Sequence, residues 1–129
     1  MTDGIIKGPG FAAGSLDVMG EGYGFRKIRK ELGVGAFGVN AIVLPPEYTT
    51  GWHFHDEQEE LYICIDGPMT IEFQKGDGPI TLEQGDVAWA APEAVRRTGN
   101  PGPDDATFIC VGGKDGYVGR DGQVPDEEE

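Results

Sequence analysis

The chain has 129 residues, enough for one domain with a sizeable core and too few for two. Its net charge of −13, from 10 basic and 23 acidic residues, argues against nucleic acid and anionic membrane surfaces as partners, since both reward clustered Lys and Arg. With 38% hydrophobic residues, 22 Gly and nine Pro scattered between short apolar runs, the composition favours an all-β fold over a helical one.

Residues 1–23 are Gly-rich and weakly periodic, and they read as an N-terminal arm. The opening MTDGIIKGPGFAAGS lacks the charged stretch and long apolar run of a signal peptide. No run approaches the roughly 18 apolar residues of a membrane span, so a cytoplasmic setting is expected. Phe25 to Leu32 (FRKIRKEL) has a helical stripe at Phe25, Ile28 and Leu32 and no clean alternation; it reads as a strand or a short helical turn leading into the body. Strands are then predicted at 36–44, closed by Pro45-Pro46, and at 52–55, 60–66, 69–74, 80–82, 87–90, 95–99 and 107–111. Lys75-Gly76-Asp77-Gly78 has the composition of a hairpin turn. About eight short strands at close spacing have the rhythm of a sandwich or small barrel, which places one β domain over 24–113. Residues 114–129 form a Gly- and Asp-rich acidic tail whose last few residues are expected to be disordered. Cys64 and Cys110 lie inside apolar strand-like runs, and reduced core thiols are expected there.

The chemistry concentrates in Gly51 to Gly67, GWHFHDEQEELYICIDG. His53 and His55 are the chain's two histidines. Residues i and i+2 of a strand point to one face about 7 Å apart, so both imidazoles can reach one ion. The acidic, turn-prone stretch 56–59 can reverse the chain and bring Glu60 back beside them. Strand parity puts Glu60, Tyr62 and Cys64 on one face and the competing Glu59 on the other. Two imidazoles and one carboxylate suit a divalent first-row metal, and that donor set accepts Fe, Mn, Ni, Zn or Cu. Gln58 and Asn40 are further polar residues near this region, and Trp52, Trp89 and Phe73 read as core or interface aromatics.

This pattern resembles the cupin family of small jelly-roll β-barrels. The family's first motif runs Gly, five residues, His-x-His, three or four residues, Glu, six residues, Gly. His53, His55, Glu60 and Gly67 fit it, while the leading Gly falls on Glu47. The second motif runs Gly, five residues, Pro-x-Gly, two residues, His, three residues, Asn. Gly85 and Asn100 anchor it, but Ala91, Glu93 and Arg96 stand where the family has Pro, Gly and His. The resemblance covers roughly residues 36–112. It implies a metal held by His53, His55 and Glu60, with the usual third histidine replaced by Arg96, a side chain that stays protonated and cannot ligate.

Two outcomes are open at that point. One is a three-ligand site with open positions, similar to the two-His, one-carboxylate centres of non-haem iron oxygenases. The other is a weakened site in which Arg96 or Arg97 clamps an anionic ligand. The reading that follows is a metal-dependent oxygenase acting on a small anionic molecule, with Arg96 orienting a carboxylate. Isomerase, lyase or cyclase chemistry needs a general base, for which Tyr62 is a candidate, and a non-catalytic ligand-binding module is the remaining alternative. The resemblance also implies a homodimer, because cupins often pair sheets or exchange N-terminal strands.

Overall fold

The fold is described from a computed structural model over residues 4–125. The strands, in chain order, are β1 (Ile5–Gly8), β2 (Phe11–Gly14), β3 (Gly24–Arg26), β4 (Gly38–Leu44), β5 (Tyr48–Thr49), β6 (Phe54–His55), β7 (Glu59–Asp66), β8 (Met69–Phe73), β9 (Ile80–Leu82), β10 (Val87–Ala90), β11 (Arg96–Asn100), β12 (Ala106–Gly113) and β13 (Gly122–Gln123). One short helix, α1 (Ile28–Leu32), ends at Gly33, which takes the left-handed conformation that glycine adopts at low cost. The ambiguous FRKIRKEL stretch is thus both things in succession, β3 and then α1.

Two antiparallel sheets carry the body. One has the order β10-β7-β12-β4-β3 and the other β5-β11-β8-β9. Strand alternation explains how they share a core. Tyr62, Cys64 and Phe108 point inward from the first sheet, and Met69, Ile71 and Leu82 meet them from the second. These side chains are at most 5% exposed, whereas Leu61, Ile65, Val87 and Trp89 on the opposite face of β7 and β10 are 37–59% exposed. Gly67 closes β7 where the chain must pass close to the core: a Cβ there would lie 2.8 Å from the Cys64 sulfur.

Two regions are more structured than the sequence suggested. The N-terminal arm contains the β1–β2 hairpin and buries Ile5 and Met19. The C-terminal segment returns to the body: β13 pairs antiparallel with β6, with Gly122 opposite His55 and Gln123 opposite Phe54. The tail expected from residue 114 onward is therefore, up to residue 125, a strap across the histidine strand. The expected disorder of the final residues concerns 126–129, which lie outside the described residues.

Candidate metal centre

His53 and His55 are placed by backbone pairing to the start of β11. His53 and Arg96 exchange two backbone hydrogen bonds of 2.9 Å, and the His55 amide donates to the Pro92 carbonyl at 2.8 Å. This extended segment puts both imidazoles on one face, with ring centroids 5.2 Å apart and nearly perpendicular planes. Glu60 enters from β7, on the same inward face as Tyr62 and Cys64. The ligating atoms of His53, His55 and Glu60 lie within 4.8 Å of one another. His55 Nε2 is 3.3 Å from Glu60 Oε2, and His53 Nε2 is 3.8 Å from Glu60 Oε1. His53 is the side through which the group meets solvent: its side chain is 33% exposed, against 12% for His55 and Glu60.

Arg96 is fully buried directly behind Glu60. Its Nη2 donates to Glu60 Oε1 at 2.7 Å and its Nε to the Tyr62 hydroxyl at 3.2 Å. Its Nη1 is held by the carbonyls of Ala91, Pro92 and Ala94 at 2.8–3.2 Å. The Tyr62 hydroxyl in turn donates to Glu60 Oε1 at 2.6 Å. The two oxygens of Glu60 therefore have different environments: Oε1 accepts from Tyr62 and Arg96 and lies on the His53 side, and Oε2 faces His55.

Electrostatics follow from this packing. Burial pushes the Glu60 carboxyl up, but the nearby imidazoles of His53 and His55 and the hydrogen bonds from Tyr62 and Arg96 outweigh it and hold the group far below the usual carboxylate range. The hydrogen bond to Glu60 raises His55 against the opposing effect of burial. Burial and the Glu60 charge push the Tyr62 phenol far above its ordinary value. In this arrangement the Tyr62 hydroxyl donates to Glu60 and accepts from Arg96. Arg96 differs from the expectation that it orients a substrate carboxylate. A fork with no exposed surface and its donors on Glu60, Tyr62 and three carbonyls is a structural anchor of the site. Arg97 points to the other face, stacking over Trp52 at 4.2 Å and pairing with Glu72 at 2.9 Å.

Of the two free thiols, Cys110 rather than Cys64 belongs to the site. Cys110 sits opposite Tyr62 in the ladder and contacts Glu60; burial, then the Glu60 charge, raises its thiol. Cys64 lies deeper, with its sulfur directed at the Leu82 carbonyl. Glu59 faces outward and accepts a hydrogen bond from the Trp89 indole, while Glu60 lies beside the two histidines. Gly112 lies opposite Glu60, and a Cβ there would collide with the Gln58 side-chain oxygen. Asn40 pairs with Cys110 in the β4–β12 ladder.

Sequence reasoning missed Asp121, from the strap. Its Oδ1 lies 2.7 Å from His55 Nδ1 and accepts from Gln58 Nε2 at 2.7 Å, while its Oδ2 accepts from the amides of Glu57 and Gln58 at 2.7 and 3.0 Å. Burial works against ionisation of this carboxyl, but the hydrogen bonds from Gln58, Glu57 and His55 prevail and hold it well below the usual carboxylate range. No periodicity flags a lone Asp in a Gly-rich segment 66 residues from its partner.

Comparison with known proteins agrees with this fold. The profile described as "Cupin domain" matches residues 40–112. No functionally curated protein matches. Among solved structures, a cupin protein from Bacteroides fragilis is 22% identical, with a TM-score of 0.68 over 92% of this chain and 99% of that one. A sugar phosphate isomerase from a cupin superfamily, from Silicibacter pomeroyi, is 26% identical with a TM-score of 0.62, covering 70% of this chain and 58% of its own. A predicted oxalate decarboxylase from Thermotoga maritima is 23% identical with a TM-score of 0.53, covering 58% and 64%. The chain thus spans less than two thirds of both of these enzymes.

Proposed function

Because the chain belongs to the cupin family, we propose that it binds one divalent transition metal through His53, His55 and Glu60 and is an oxygenase-type enzyme acting on a small molecule. The observation that carries this reading is the convergence of three ligating atoms within 4.8 Å. Metal–ligand bonds of about 2.0–2.2 Å place adjacent ligand atoms about 3–3.6 Å apart. His55 Nε2 and Glu60 Oε2, at 3.3 Å, are already at that spacing, and the more exposed His53 lies 3.8 Å from the other oxygen, Oε1. The residues fit the ion, and Arg96 does not displace it, because the guanidinium and Tyr62 occupy Oε1 and leave Oε2 facing His55.

Two imidazoles and one carboxylate leave coordination positions open, the arrangement that favours non-haem Fe(II). When bound, a divalent ion supplies Lewis-acid polarisation and, for iron, redox capacity. The chain's own groups bind and orient. Arg96 and Tyr62 fix the rotation of Glu60, backbone bonds to Arg96 and Pro92 hold the segment that carries the two rings, and the buried Tyr62 and partly buried Cys110 line the space behind the carboxylate. With Arg96 locked inward, nothing in the site demands an anionic substrate, and the substrate class is widened to small organic molecules.

A second reading, a metal-dependent isomerase, is favoured by the 26% identity to the sugar phosphate isomerase. Oxygen uptake distinguishes the two. The oxygenase reading predicts Fe(II)-dependent oxygen consumption, with a panel of small organic substrates, that His53→Ala abolishes. Turnover of a sugar phosphate without oxygen uptake selects the isomerase. The reading also includes a homodimer in the cytoplasm, for which sedimentation and cell fractionation are the tests.

A further inference from the structure

Asp121 reaches the centre from the C-terminal strap and, of its three ligands, touches only His55. We propose that Asp121 is a positioning residue of the metal centre, holding the Nδ1 proton of His55 so that Nε2 presents its lone pair to the ion, and supplying the negative charge that Arg96 cancels. The proposal rests on the metal reading above and deepens it.

The argument starts from donors and acceptors. Asp121 receives two backbone amides and the Gln58 side-chain NH₂, so its remaining partner, His55 Nδ1 at 2.7 Å, faces a carboxylate oxygen already committed as an acceptor. A neutral imidazole there carries its proton on Nδ1 and is unprotonated at Nε2. Nε2 is the atom that faces Glu60 Oε2 at 3.3 Å. A ligating histidine held through its other nitrogen by a carboxylate has its ring orientation and tautomer fixed and its basicity raised. The Asp121 side chain is 10% exposed, so solvent screens this contact little.

Charge gives a second, independent reason. With neutral imidazoles, Glu60 and Arg96 sum to zero, and a divalent cation would enter a site without net negative charge. Asp121 makes the cluster −1. The strap delivers that charge accurately because β13 is in register with β6 and the Asp56 amide is bonded to the Asp121 carbonyl at 3.1 Å.

The test is a Co(II) titration of the full-length protein followed by visible absorbance, with thermal melts of the metal-free proteins alongside. Asp121→Asn keeps volume and one oxygen for the amides but turns an NH₂ towards His55 or Gln58. It is expected to weaken Co(II) binding about tenfold to a hundredfold with little change in melting. Asp121→Glu, which retains the carboxylate, is expected to recover part of the affinity. Gln123→Ala removes a contact of the same strap, to Asp56 Oδ2, without touching Asp121 or His55 and is expected to bind Co(II) nearly as the natural chain does. The proposal is overturned if Asp121→Asn binds Co(II) as tightly as the natural chain, or if Gln123→Ala loses as much, which would make the strap's folding the cause. If the natural chain and His55→Ala alike bind no Co(II), the metal reading fails and takes this proposal with it.

Discussion

Arg96 occupies the slot where the cupin second motif places a histidine, and its guanidinium meets the very carboxylate that the ion needs. Removing one partner of a buried pair leaves the other charge unpaired, which costs about 3–5 kcal/mol. Arg96→Ala is therefore expected to destabilise the metal-free protein by about that amount in urea unfolding. Arg96→His removes the positive charge and restores the family's donor at that position, and it is expected to bind metal more tightly than the natural chain in chelator competition. Two neighbouring groups give opposite pH signs. Glu60 is depressed, so its contribution to stability is complete above its unfolded value of 4.5 and is lost as pH falls towards its folded value. His55 is raised, so in the metal-free protein its contribution is complete below 6.5 and is lost as pH rises through its folded value. Metal binding runs the other way, because the ion must displace the proton from Nε2. Melting curves and metal titrations across neutral pH should thus slope in opposite directions; parallel slopes would contradict the assignment of His55 as a ligand.

At the scale of elements, short apolar runs bounded by turn residues made β7, β8, β9 and β10 legible to within a residue, and β7 shows the alternation most clearly, burying Tyr62 and Cys64 and exposing Leu61 and Ile65. The same parity selected Glu60 over Glu59. The fates of residues 1–23 and 114–125 were hidden because β1, β2 and β13 are only two to four residues long and contain glycine, and β13 finds its partner, β6, far away along the chain. The role of Arg96 was half legible. Its inward direction followed from the motif, but its partners Ala91, Pro92 and Ala94 are backbone carbonyls, which no residue pattern announces. Packing across the two sheets supplies a further expectation. Phe108 is 3% exposed and packs its ring 5.9 Å from Tyr62, so Phe108→Ala is expected to cost about 3–5 kcal/mol. Ile65→Ala, on the 38% exposed outer face, is expected to cost much less. Equal losses for the two in urea unfolding would contradict the assignment of inner and outer faces.

For the whole molecule, a strongly acidic single domain has its one three-residue metal-ligating cluster, among the described residues, at the junction of β6, β7 and β11. No helix among those residues is long and apolar enough to cross a membrane. Leu61, Ile65, Val87 and Trp89 leave apolar surface on the outer face of the larger sheet. If that face is buried between two copies, Trp89→Glu is expected to shift sedimentation towards the monomer; an unchanged profile would place any dimer contact elsewhere. The central claim, that His53, His55 and Glu60 hold a resident transition metal, is tested most directly by elemental analysis. Protein purified without a histidine tag or chelator is measured by plasma mass spectrometry beside the His53→Ala/His55→Ala double variant. The account predicts one equivalent of a transition metal per chain in the natural protein and loss of it in the variant. A natural protein that stays empty after incubation with Fe, Mn, Ni, Zn and Cu in turn would contradict it.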